Sequence, residues 1–141
     1  MPDGVGDLAI ILHSHMPYVE GYGTYPFGEE WLFDAVIHSH LPVLEIARDI
    51  TLTVTPVLAD QLEAEGVPER LREFLVRHRL EAAVKDVETC DPGFAAAAGA
   101  GHDRYARALE LLDSHGGRPL DAFASAARSG RLELMASSAT H

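Results

Sequence analysis

The segment His13-Ser14-His15 sets two imidazoles two residues apart, and a third, His141, follows the small polar run Ser137-Ser138-Ala139-Thr140. In an extended backbone alternate side chains share a face, so His13 and His15 point the same way. Paired imidazoles can bind a metal, exchange hydrogen bonds with sugar hydroxyls, or orient a carboxylate. The competing account makes them polar loop residues. A metal site needs more ligands than two, and the spacing alone does not choose among these chemistries. The other five histidines, His38, His40, His78, His102 and His115, fall in predicted helices or turns, where surface or packing roles are expected.

The elements around these residues follow from hydrophobic period. Leu8-Ala9-Ile10-Ile11-Leu12 is continuously apolar, as a strand buried on both faces requires. From Gly28 the acidic pair Glu29 and Glu30 opens a helix whose apolar positions are Leu32, Phe33, Val36, Leu44 and Ala47, with Pro42 predicting a kink or break. Ile50-Thr51-Leu52-Thr53-Val54 reads as a second strand, and Thr55-Pro56 as an N-cap with proline at the first helical position, leading a helix to about Glu63. A longer amphipathic helix is predicted from Val67 to about Val87, burying Leu71, Phe74, Leu75, His78, Ala82 and Val87, with Arg77-His78-Arg79 and Glu81 on a solvated face. The stretch from Cys90 to Gly101 is interrupted by Pro92, Gly93, Gly99 and Gly101 and is expected to be a turn between helices. Helices over Tyr105 to Leu112 and Leu120 to Arg128 precede a third strand, Leu132 to Ala136.

Strands alternating with helices, without a hairpin signal, indicate parallel βα units, whose ligands bind beyond the C-terminal ends of the strands. That end carries His13 and His15, then Thr55-Pro56, then the segment reaching His141. Three strands do not close a barrel, and at 141 residues the chain is short of the roughly 250 that a (β/α) barrel takes. The expectation is therefore an α/β chain of about three βα units, an incomplete barrel with an open edge at Leu132 to Ala136. With 11 Lys+Arg against 22 Asp+Glu, the net charge of -11 argues against nucleic acid and anionic membrane as partners. Cys90 is the single cysteine and no segment has the apolar length of a spanning helix, so a cytoplasmic protein without a signal peptide is expected.

Several blocks resemble glycoside hydrolase family 57. His13-Ser14-His15-Met16-Pro17-Tyr18 resembles the His-x-His-x-Pro-Tyr of the first signature region in branching-enzyme members. Tyr25-Pro26-Phe27-Gly28-Glu29-Glu30 is similar to the family's Trp-Pro-x-Gly-Glu-Glu, and Leu41-Pro42-Val43-Leu44 to its Leu-Pro-Leu-Leu. Thr53 to Leu62 resembles the second strand and its helix, and Gly130 to His141 the second signature region. The blocks stand in the family's order and span nearly the whole chain, most weakly from Thr89 to Gly117. Departures are Tyr25 where tryptophan is usual, His38 and His40 where an acidic and an aromatic residue are usual, and a short connection through Arg48-Asp49.

The resemblance implies a (β/α)7 barrel acting on α-glucans by a retaining mechanism, with residues 1–141 as the N-terminal part of the catalytic barrel and no second domain. Two carboxylates about 5 Å apart perform that chemistry, one as nucleophile and one as general acid and base. In a 1,4-α-glucan branching enzyme a glucan 6-hydroxyl captures the glycosyl-enzyme, which makes the α-1,6 branches of glycogen-like polymers. Both carboxylates belong to later signature regions, so no catalytic residue is assigned in this chain, and alone it is expected to be inactive without the remaining part of the barrel. Position by position, the resemblance makes His13, His15, Tyr25 and His141 substrate-binding residues and gives Glu29 and Glu30 a supporting place; it implies no cofactor and no metal. A family 57 α-amylase or 4-α-glucanotransferase is the nearest alternative. A metal-dependent amidohydrolase-like enzyme and a non-catalytic truncated remnant are alternatives of other classes.

Overall fold

The computed structural model describes residues 6–23 and 28–139. Tyr25 and His141, both named above, lie outside the described residues. Three short strands, β1 (Ile11–Ser14), β2 (Ile50–Val54) and β3 (Leu132–Met135), form one parallel sheet in the order β1-β2-β3. The incomplete parallel α/β architecture expected from the strand and helix order is the one observed. Register pairs Leu12 with Leu52 and Leu52 with Leu134, and likewise His13 with Thr53 and Thr53 with Met135.

That register sorts the side chains by face. Leu12, Ser14, Ile50, Leu52, Val54, Leu132 and Leu134 share one side; Ile11, His13, Thr51, Thr53, Glu133 and Met135 share the other. Leu52 and Leu132 join the core beneath the helices, so the first side is the helix-covered one. The predicted first strand is displaced. Leu8, Ile10 and Ile11 are largely exposed, and the paired segment begins only at Ile11, running through His13 to Ser14. β1 and β3 are both outer strands, and the apolar run leading into β1 has nothing laid over it among the described residues.

Among the described residues seven α-helices accompany the sheet, with α5 and α6 packed on other helices: α1 (Glu29–Ala35), α2 (Leu41–Ile46), α3 (Pro56–Glu63), α4 (Val67–Glu73), α5 (Glu81–Thr89), α6 (Ala95–Ser114) and α7 (Pro119–Arg128). Pro42 does not break the helical path. Val36–His40 widens into a π-helical segment between α1 and α2, which accommodates the missing N–H and the ring of Pro42 one residue into α2. A second π segment, Phe74–Leu80, joins α4 to α5. Its wide turn advances the helical phase, so Ala83 is buried where the regular period had marked Ala82, and Val87 is turned out to solvent.

Two further expectations are corrected. The helix predicted to begin near Tyr105 starts at Ala95: the alanines at 95–98 and 100 carry it through Gly99 and Gly101, whose Cα positions face open space. Arg79 is not merely solvated. It donates to both carboxylate oxygens of Asp34 on α1, Nε at 2.9 Å, and lies 4.6 Å from the centre of the Phe74 ring.

The lower end of the sheet is tied by Arg131, just before β3. Its guanidinium donates to the carbonyls of Leu44 (2.6 Å) and Glu45 (3.3 Å) at the end of α2, and its own carbonyl accepts the Asp49 N–H entering β2.

Candidate active site

All three strands point the same way, so Ser14, Val54 and Met135 end at a common rim. His13 is the third residue of β1 and projects on the helix-free side. Its Nδ1 lies 2.6 Å from Oγ1 of Thr53, the residue opposite it on β2. The imidazole of His15 stacks alongside, with ring centroids 6.1 Å apart and planes within 8° of parallel. The two rings thus form a pair of parallel plates, both exposed, as the alternation of the strand demands. The rim continues into Thr55, whose N–H donates to Ser14 and whose side chain caps α3 by accepting the Leu58 N–H at 3.3 Å.

From Met16 the chain turns in, out, out and in: Met16 and Val19 are buried, whereas Pro17 and Tyr18 face solvent. Gln61 of α3 anchors this loop from beneath. Its Oε1 accepts the N–H groups of Val19 (2.6 Å) and Glu20 (3.1 Å), and its Nε2 donates to Pro17 O (3.1 Å) and Val57 O (3.2 Å). The Tyr18 hydroxyl donates to Glu20 Oε2 at 3.1 Å, and this bond to a carboxylate raises the phenol's pKa.

Glu29 is buried, Glu30 half-buried beside it in the first turn of α1. The Glu29 carboxylate receives Arg70 bidentately, Nε at 2.7 Å and one terminal nitrogen at 2.5 Å, and accepts the Gly21 N–H at 3.2 Å. Burial alone would raise the pKa of Glu29, but the Arg70 and Gly21 hydrogen bonds outweigh it and hold the carboxyl below its ordinary range. The loop is closed by a backbone contact: Glu29 N–H donates to Gly23 O at 2.7 Å, and a Cβ on Gly28 would stand 2.0 Å from that same oxygen. Only glycine fits at 28.

Beside β1 is an open-sided cavity of about 390 Å³, lined among others by His13, Ser14, His15, His40, Leu52 and Phe123. His40 is buried against the Phe123 ring, and its Nε2 has no hydrogen-bond partner among the described residues. Burial holds its pKa down at about 4. Among the described residues no group of three or more His, Cys, Asp or Glu is placed to hold a metal ion, and no helix is long and apolar enough to cross a membrane.

The structure therefore brings His13 and His15 together and gives Glu29 a partner in Arg70 instead of an open carboxylate. Thr53 and Gln61 were not singled out as site residues from the sequence. The signal for Gln61 was a polar residue inside the apolar stripe Leu58–Leu62 of α3, and that for Thr53 was its place in register with His13.

No protein-family model matches the chain. Over 93 residues, 60% of its length, it is 40% identical to a 1,4-alpha-glucan branching enzyme of Thermococcus kodakarensis, of which those residues are 14%. The crystal structure of a GH57 branching enzyme from that organism, solved with glucose and additives, superposes with a TM-score of 0.82 at 28% identity, over 94% of this chain and 26% of that one. The chain is similar to glycoside hydrolase family 57 branching enzymes. An alpha-amylase from Thermotoga maritima is also similar, with a TM-score of 0.80 and 26% identity over 91% of this chain and 26% of the amylase. The chain thus spans about a quarter of the length of its solved family 57 neighbours.

Proposed function

We propose that these 141 residues are the N-terminal part of a family 57 catalytic barrel that forms α-1,6 branches in α-glucan by retaining glycosyl transfer. The observation that carries this reading is the stacked pair His13–His15 at the C-terminal ends of parallel strands, in a fold shared with a branching enzyme. In this reading His13 and His15 hydrogen-bond the hydroxyls of the donor sugar or hold the nucleophile, and Tyr25 and His141 are further substrate-binding residues. Glu29 supports the mouth through Arg70 and Gly21, and Glu30 contributes charge to the same helix start. The chain itself supplies neither the nucleophile nor the general acid, so turnover requires the remaining βα units laid against β1 and β3. A glycogen-like product and a cytoplasmic setting belong to the same proposal, the latter supported by the lone Cys90.

The likeness to an α-amylase favours a second reading, in which water takes the glycosyl group. The two share the histidine pair and differ in the acceptor. Titrating the chain with maltoheptaose while following the His13 and His15 ring signals by NMR tests the common part. Shifts confined to the rim are expected, and rings unmoved at millimolar sugar would remove the glucan assignment.

A further inference from the structure

On α3 the buried stripe contains one long polar side chain, Gln61, which is fully buried between Leu58 and Leu62. Its carboxamide makes four hydrogen bonds, and three of them reach the loop that follows His15: to the N–H groups of Val19 and Glu20 and the carbonyl of Pro17. The fourth, to Val57 one turn back, fixes the orientation of the amide. An ordinary apolar residue of similar volume would fill this space as well. It could not fix the rotation of the backbone above it.

That rotation decides which side chains face the rim. Met16 and Val19 enter the core while His15, Pro17 and Tyr18 stay outside, and a slip of one residue would exchange Val19 for Tyr18. Two donors and one acceptor, matched by one carboxamide, permit a single phase of this pattern. We propose that Gln61 is a positioning residue for the glucan-binding mouth, setting the backbone at 17–20 so that His15 and the exposed ring of Tyr18 are presented together. The glucan part of this inference rests on the reading given under Proposed function.

The full chain is compared with Gln61→Leu, Gln61→Glu and, as a control that weakens the core under α3 but keeps the Gln61 amide, Leu62→Ala. Maltoheptaose affinity is read from the His15 and Tyr18 ring signals, and amide hydrogen exchange is followed at Val19, Glu20 and the β2 residues. Gln61→Leu should weaken maltoheptaose roughly ten-fold, the equivalent of about one hydrogen bond, and speed exchange at Val19 and Glu20 far more than in β2. Leu62→Ala should lower the melting temperature yet keep affinity within about two-fold. In Gln61→Glu, affinity should return in part as pH falls from 8 to 5.5 relative to the parent chain, because the neutral acid accepts the two loop N–H groups and donates to one of the two carbonyls that the amide serves; affinity that falls further over that interval would count against the proposal.

Equal losses in Gln61→Leu and Leu62→Ala, or unchanged affinity in Gln61→Leu, would overturn the proposal. If the parent chain gives no maltoheptaose response, the glucan reading fails by itself, and the exchange comparison still decides whether Gln61 sets the loop. Exchange at Val19 and Glu20 rising only in step with β2 would then refute that role.

Discussion

His13 and Thr53 face each other in register on adjacent parallel strands, joined at 2.6 Å between Nδ1 and Oγ1. The bond fixes the plane of the imidazole, and with it the plane of His15 stacked beside it. Whichever of the two groups donates also sets the His13 tautomer. Thr53→Val keeps the shape and removes the hydroxyl, so stability should fall by about 1 kcal/mol and the His13 ring signals should broaden or split. A sharp, unshifted His13 spectrum in that variant would show that the ring is held by something else.

Acid should loosen the protein through His40. Its pKa in the folded chain is about 4, below the ordinary 6.5, so the unfolded chain takes up the proton first as pH falls. The contribution is complete above about pH 7 and is lost progressively between 6.5 and 4, for a total of about 3 kcal/mol. Urea melts at pH 7 and 4.5 on the parent chain and on His40→Phe measure it. The variant should lose less stability over that interval, and an identical loss in both would assign the acid sensitivity elsewhere.

The Glu29–Arg70 pair is asymmetric, since the carboxylate is buried and the guanidinium partly exposed. Arg70→Ala strands a charge in the core, whereas Glu29→Gln leaves a neutral amide that still accepts from Gly21. Arg70→Ala should therefore cost more, about 2 kcal/mol after allowance for solvent on the arginine side, and Glu29→Gln about half that. Denaturant titration of both variants gives the order; the reverse order would mean that the buried charge is compensated by another group.

Exposed Ile11, Leu134 and Met135 on two outer strands, with exposed Ile10 just before the first, predict self-association of the isolated chain. Light scattering should show concentration-dependent oligomers that Leu134→Lys with Met135→Lys reduces. A monodisperse parent chain melting cooperatively would count against this.

Amylose incubated with the purified chain should be neither branched nor shortened. Turnover that persists through repurification and disappears in His13→Ala would contradict the assignment of the reactive carboxylates to another part of the barrel.

Much of this arrangement was legible because local chemistry and tertiary role agree. Thr55-Pro56 caps and opens α3 as its residue types require, the β-branched run Ile50–Val54 is a strand, and parallel order followed from the alternation of elements. The failures have common physical causes. A reading at 3.6 residues per turn cannot see a π segment, which is why Ala83 replaced Ala82 in the core. Glycines in an alanine-rich run were weighed as breaks, although five alanines outweigh them. Within the site, the two histidines were visible as a local pattern. Thr53 reaches His13, and Gln61 the loop after His15, from about 40 residues away, a separation at which no local pattern survives.

The hold of Arg131 on the last carbonyls of α2 has a bearing on the order of synthesis. A nascent chain can wind its early helices soon after they leave the ribosome, but the Leu44 carbonyl near the end of the second gains its guanidinium partner only when a residue 87 positions later arrives. Assembly of this layer is thus governed by a distant latecomer, and a pause in translation shortly before residue 131 should leave the early segment protease-sensitive.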